Sequence, residues 1–171
     1  MARRVFFSFH HQADSWRVGQ VRNSWVVQKG TTNSFMDGAA WEAVQRKGDP
    51  AVKAWIGREM NGTGVTVVLI GRHTATRPYV QYEIQQSIRK RKGIVGIHIH
   101  NIRDRNRRTT RKGHNPLQDF TVTRDDPWFG WLGVRSKQRL ADIFQTFDWE
   151  DDDGRANMPE WIEEAARRAN R

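Results

Sequence analysis

The sequence predicts an α/β fold of three layers, in which helices cover both faces of a central, mostly parallel sheet. Three observations carry that expectation. Val65–Ile70 (VTVVLI) is rich in β-branched residues and closed by Gly71, as expected of a strand buried on both faces. From residue 79 to about 91 the pattern turns helical, with Val80, Ile84 and Ile88 four apart on one stripe. A second apolar run follows at residues 94–99. Strand, helix and strand at these lengths make a parallel crossover, right-handed by the general rule.

The remaining elements follow in order. Residues 5–9 read as a short strand ending at His10 and His11. Asp14 or Ser15 caps the next helix, whose stripe is Val18, Val21, Trp25 and Val26 and whose end is Lys29-Gly30. Residues 33–38 suit a short strand and a turn. Asp49 reads as an N-cap before Pro50, Val52, Trp55 and Ile56 as an apolar face, and Asn61-Gly62 as the C-cap. Residues 73–77 form a polar loop, and Pro78 fits a first helical turn, where its missing N–H is harmless.

Beyond Ile102 the character changes. Residues 103–118 are basic, contain Gly113 and Pro116, and read as a long exposed loop. A short strand is expected at residues 120–122, and the aromatic cluster at residues 128–132 covers a sheet edge or one end of the core. Residues 139–147 suit either a short helix or a strand. The acidic run at residues 148–153 precedes Asn157, which caps a final helix, to about residue 170, carrying Trp161, Ile162 and Ala165. There is no internal repeat and no linker. Residues 1–171 are therefore expected to form one domain, with a basic loop insertion at about 103–118.

Composition narrows the function classes. With no cysteine, disulfides and thiolate metal sites are excluded. No apolar run reaches membrane-span length, and that at the N-terminus is too short for a signal peptide, so a soluble, cytoplasmic protein is expected. The net charge of +10 is concentrated at residues 89–92 and 103–112. Such runs are ordinary solvated surface, or attract acidic proteins, phosphorylated small molecules or nucleic acid.

Among residues able to carry chemistry, Glu83 comes first. It lies in a helix leaving the carboxyl end of a central strand, where open α/β sheets bind ligands. Tyr79, Tyr82, Glu83 and Gln86 fall at i, i+3, i+4 and i+7, on a face other than the apolar stripe. A carboxylate there can hydrogen-bond ribose hydroxyls and stabilise positive charge on a sugar carbon, while neighbouring aromatics stack on a base or nicotinamide ring. From pattern alone, a first-turn glutamate such as Glu83 is more often a helix-dipole partner than a catalyst. Residues 5–9 and 65–70 form the natural strand pair flanking the crevice, which sets Ser8, Phe9, His10 and His11 opposite Glu83. His98 and His100, with His73 nearby, read as core or edge histidines, because a metal site lacks its third and fourth ligands. The acidic segment from residue 149 resembles a calcium loop only in spacing, since Trp149 occupies the first ligand position.

Three blocks taken together carry a family resemblance: VFFSFHHQADSWRVGQVRNSW, AVKAWIGREMNGTGVTVVLIGRHTATRPYVQYEIQQSI and GIVGIHIHNI. In this order they resemble the TIR-like domains of bacterial antiphage defence, those of Thoeris systems in particular. The resemblance implies a flavodoxin-like fold and an enzyme that cleaves NAD⁺ at the nicotinamide–ribose bond, with NAD⁺ as substrate and no cofactor. It implies Glu83 as the catalytic glutamate, four residues after the aromatic Tyr79. Ser8, Phe9, His10 and His11 are implied as substrate contacts, with Tyr79 and Tyr82 beside the substrate. It further implies a cyclic ADP-ribose-type product that activates a separate effector, a phage-derived protein trigger, and compatibility with a homo-oligomer. Neither a membrane nor nucleic acid is an expected partner. The basic segment at 103–112 departs from the general TIR pattern. It keeps a second reading open: a non-enzymatic interaction module working through its basic surface.

Overall fold

The computed structural model describes residues 3–29, 38–127 and 129–170. Its strands are β1 (Val5–Ser8), β2 (Val65–Ile70), β3 (Gly93–His98), β4 (Thr121–Val122), β5 (Gln138–Arg139) and β6 (Thr146–Asp148). Its helices are α1 (His11–Lys29), α2 (Gly38–Arg46), α3 (Asp49–Glu59), α4 (Pro78–Arg89), α5 (Leu140–Ile143) and α6 (Gly154–Arg168). The main sheet runs β1-β2-β3-β6, parallel throughout, and β4 pairs with β5 as a small antiparallel ribbon. No helix is long and apolar enough to cross a membrane among the described residues.

Alternation along the strands sorts side chains into layers. Val5, Phe7, Val65, Val67, Leu69, Val95 and Ile97 turn to one face, where Val18, Val21 and Trp25 of α1 and Trp161, Ile162 and Ala165 of α6 cover them. Val68, Ile70 and Ile94 turn to the other, under Val80, Ile84 and Ile88 of α4. Phe6 meets α2 and α3 through Trp41, Val52 and Ile56. This is the three-layer α/β arrangement expected from the sequence. α6 and β3 approach closely at Gly93, where an added Cβ would lie 2.3 Å from the Ala165 carbonyl oxygen.

Several boundaries differ from expectation, each for a physical reason. α1 starts at His11, so neither Asp14 nor Ser15 is its cap; Asp14 is buried in the first turn and its N–H donates to the His10 carbonyl. The side chain of Val26 lies outside the described residues, as does Gly30. The strand and turn expected at residues 33–38 also fall there, except that Gly38 begins α2, a helix the sequence did not suggest. α3 is capped by Gly48, at φ +96°, which makes Asp49 and Pro50 its first two positions; Asp49 pairs with Lys53 at 2.9 Å instead. Its C-cap is Met60 rather than Asn61-Gly62. α4 ends at Arg89 because Arg91, at φ +54°, has left the helical region. Residues 139–147 hold both α5 and most of β6.

α6 begins three residues before Asn157 because the acidic turn folds onto itself. The Asp148 carboxylate accepts the N–H groups of Glu150 and Asp151, and Gly154 tucks under the Trp149 ring. Asn157 donates to the Asp152 carbonyl from inside the helix. In the aromatic cluster, Trp128 is outside the described residues. Phe129, Trp131 and Leu132 pack on the α4 core, and the Trp131 indole donates to the Ile88 carbonyl at 3.2 Å.

The basic segment is irregular, as expected, yet tied down as a strap. The buried Arg17 guanidinium donates to the carbonyls of Ile102 at 2.8 Å and Arg108 at 3.0 Å. Asp104 accepts the N–H groups of Asn106 and Arg108, and the Thr110 N–H donates to the His100 carbonyl. The strap then crosses the end of β2 with Gly113 pressed on Gly71, and its Leu117 is buried.

Candidate active site

β1 and β2 pair from Val5↔Val65 to Ser8↔Val68, so their carboxyl ends lie side by side. From the end of β2 the chain makes a 3₁₀ turn at Thr74–Thr76 and enters α4 at Pro78, its first helical residue. α4 is anchored to the sheet by a polar pair: the Ser87 hydroxyl lies 2.7 Å from that of Thr66 and donates to the Glu83 carbonyl at 2.7 Å. This orientation turns Glu83 inward with Val80 and Ile84, leaving it 2% exposed. The Ser8 hydroxyl donates to Oε2 of the Glu83 carboxyl.

Glu83 lines a cavity of about 540 Å³ at the carboxyl end of β1, together with Phe9, His10, His11, Trp41, Arg77 and Tyr79. The wall opposite α4 is an aromatic stack. The His11 ring lies 4.0 Å from Phe9 and stacks on Trp41 at 4.2 Å with planes 8° apart. Trp41 in turn meets Tyr79 edge-on at 5.7 Å and 90°.

Burial dominates the electrostatics. It pushes the Glu83 carboxyl up to about 8, and the Ser8 hydrogen bond offsets that shift only in part. Burial likewise pushes His11 down to about 4, helped by His10, and lowers His10, helped by Arg77 and His73. Both imidazoles are therefore neutral at pH 7, able to hydrogen-bond a sugar or amide but carrying no charge for a phosphate. Arg77 is the only arginine or lysine lining the cavity among the described residues.

The structure thus brings together Glu83, Phe9, His10, His11 and Tyr79. Ser8 is fully buried and meets Glu83 rather than the cavity. Tyr82 does not reach the cavity wall: one 100° step from Glu83, it packs toward α3, with the Lys53 ammonium 5.2 Å from its ring centre. Sequence reasoning missed Trp41, since α2 itself was not recognised, and Arg77, which was placed in the polar loop but given no role.

The other polar clusters sit apart. His98 and His100 are buried and meet edge-on at 5.8 Å. Burial, with Lys112 and His100, pushes His98 down to about 4 against the pull of Asp148. His73 lies with His10 and Asp14, whose titrations it influences, rather than with this pair. Among the described residues no group of three or more His, Asp or Glu is arranged to hold a metal ion.

Two comparisons with known proteins bear on this site. Residues 6–104 match the family model described as Thoeris protein ThsB, TIR-like domain. Over 191 aligned positions the chain is 32% identical to a Bacillus cereus (strain MSX-D12) protein named "Putative cyclic ADP-D-ribose synthase ThsB1", covering 95% of this chain and 100% of that one.

Proposed function

The chain belongs to the TIR-like family of the Thoeris protein ThsB, and from that premise we propose that it converts NAD⁺ to nicotinamide and a cyclic ADP-ribose-type nucleotide, a signal in antiphage defence. The observation that carries this reading is the buried Glu83 carboxyl on the wall of a cavity flanked by stacked aromatics at the carboxyl end of β1. The bond between the ribose carbon and the pyridinium nitrogen breaks, and its electron pair leaves with nicotinamide as a neutral ring. The sugar carbon is left oxocarbenium-like. A carboxylate beside it, in a site poor in water, stabilises that charge far more than it would in bulk solvent. A nucleophilic atom of the same ADP-ribose then closes the ring and releases one proton. Ring closure in place of hydrolysis requires that the bound substrate fill the cavity and exclude water from the sugar carbon.

In the free site Glu83 is held neutral by burial, and the arriving pyridinium cation favours its ionised form. A pH profile follows from this. Because activity needs the carboxylate and its free-site value is about 8, kcat/KM for NAD⁺ should climb with pH up to about 8 and then level off. A profile flat from pH 6 to 9 would remove Glu83 ionisation from the mechanism.

Tyr79, Phe9 and Trp41 supply stacking surfaces for the rings of NAD⁺, while neutral His10 and His11 hydrogen-bond ribose. Arg77 takes the pyrophosphate. Arg77→Ala is expected to raise KM for NAD⁺ by roughly 10- to 100-fold with kcat little changed, the scale of one lost charge-assisted contact. An unchanged KM would assign the pyrophosphate elsewhere.

The same proposal includes a phage-derived protein that triggers the enzyme, a separate effector reached through the nucleotide, cytoplasmic action and assembly into homo-oligomers. The tied-down basic strap favours one alternative, a binding module without turnover. Its signature would be a defence phenotype sensitive to Arg107 and Arg108 and indifferent to Glu83. Mass spectrometry of NAD⁺ incubations with and without infected-cell extract separates the two readings.

A further inference from the structure

We propose that Ser8 is the positioning residue of this site: its hydroxyl holds Oε2 of Glu83 from below, so that Oε1 is presented to the cavity. The inference rests on the reading of Glu83 given above and assigns Ser8 a role distinct from substrate contact. Ser8 closes β1, is fully buried, and is absent from the cavity lining, so a ligand in the cavity meets Glu83 and not Ser8. Its backbone is fixed by the β1–β2 ladder, with Ser8 opposite Val68. Glu83 is fixed from the helix side, where its carbonyl accepts the Ser87 hydroxyl that also meets Thr66. Strand and helix are therefore each pinned, and the Ser8–Glu83 hydrogen bond spans them. A carboxyl rotating freely about its last torsion would spread both oxygens over many directions; one directed donor removes that freedom. A donor to the ionised form also favours ionisation, which places Ser8 on the side of the active state.

Other titratable groups line the same cavity. His10 and His11 come from the β1–α1 corner, Arg77 from the turn that precedes α4, Tyr79 from α4, and Glu42 from α2. Behind Tyr79 stands the Asp49–Lys53 pair of α3. All of them remain in a Ser8 variant, so any change there reports the lost hydroxyl.

The test is Ser8→Ala, read by NMR titration of the Glu83 carboxyl carbon in the free protein and by kinetics with NAD⁺ in trigger-containing extract. The Glu83 midpoint is expected to move to higher pH, and the pH profile of product formation to move with it. kcat should fall roughly 10-fold, the lower end of the scale for one hydrogen bond to a charged group, with KM for NAD⁺ unchanged. Ser8→Thr, which keeps a hydroxyl, should restore the midpoint. A filler role would move neither the midpoint nor the profile, and that result overturns the proposal. So does a rise in KM alone, which would make Ser8 a substrate contact. Glu83→Gln keeps the two levels apart. If it stays active, the reading of Glu83 fails; if it is inactive while Ser8→Ala titrates and turns over as the parent does, only the role of Ser8 fails.

Discussion

Glu83→Gln is expected to reduce formation of the cyclic nucleotide by at least about a hundredfold, the scale of losing one preorganised electrostatic group at a developing charge. Glutamine fills the same volume and still accepts from the Ser8 hydroxyl, but it cannot offer a negative charge to the ribose carbon. The protein should fold as well as its parent, or better at alkaline pH. The sign follows from linkage. Glu83 titrates near 8 in the folded protein, against 4.5 for an unperturbed glutamate, so the folded state binds more protons between those values. The stability linked to this group is complete below about pH 4.5 and is lost as pH rises through about 8. Thermal melting from pH 5 to 9 should show a decline in the parent that is shallower in Glu83→Gln. Equal declines would mean the carboxyl is not buried as described.

Gly113→Ala should produce the largest change in stability. A Cβ at Gly113 would stand 2.0 Å from the Gly71 carbonyl oxygen, 2.8 Å from the Gly71 carbonyl carbon and 3.1 Å from the Arg72 Cα. All three are backbone atoms, so no rotamer change relieves the clash. Gly71 cannot retreat either, because the Asp14 carboxylate packs on its other side, where a Cβ would meet Oδ2 at 2.1 Å. The strap must lift, taking the buried Leu117 with it. Overpacking of this kind costs about 1–3 kcal/mol, which for a domain of this size lowers Tm by several degrees, roughly 2–12 °C. Limited trypsin digestion should then cut faster at Arg105, Arg107, Arg108 or Arg111. An unaltered Tm with an unaltered digestion pattern would show that the strap does not rest on β2 as described.

The parts legible in the sequence were those whose signal is local and periodic. Val65–Ile70 is one run rich in β-branched residues between Gly64 and Gly71, and the strand has those limits. The four-residue spacing of Val80, Ile84 and Ile88 fixed the inner stripe of α4, but Glu83, assigned with Tyr79, Tyr82 and Gln86 to a different face, turns inward beside that stripe and is 2% exposed. Tyr82 shows where that reasoning blurs: the spacing that joins it to Tyr79 and Gln86 says nothing about which side of the helix α3 occupies. Trp41 was illegible for a different reason. In GAAWEAVQR only Trp41 and Val44 stand out from alanines and polar residues, and what holds Trp41 is the remote Phe9–His11 stack. The acidic turn misled because Asp148 takes backbone N–H groups two and three residues ahead, which moves the start of α6 upstream of Asn157. The strap read as loose because its anchors, Arg17 and Gly71, lie far away in sequence.

The most direct test of the account is mass spectrometry of small molecules from cells expressing the protein or its Glu83→Gln variant, with and without phage infection. The account predicts a nucleotide of cyclic ADP-ribose mass that appears on infection in the parent strain, with nicotinamide as co-product, and is missing from the variant. A product undiminished in Glu83→Gln cells would contradict the assignment of Glu83, and no product across a panel of phages would contradict the enzyme itself.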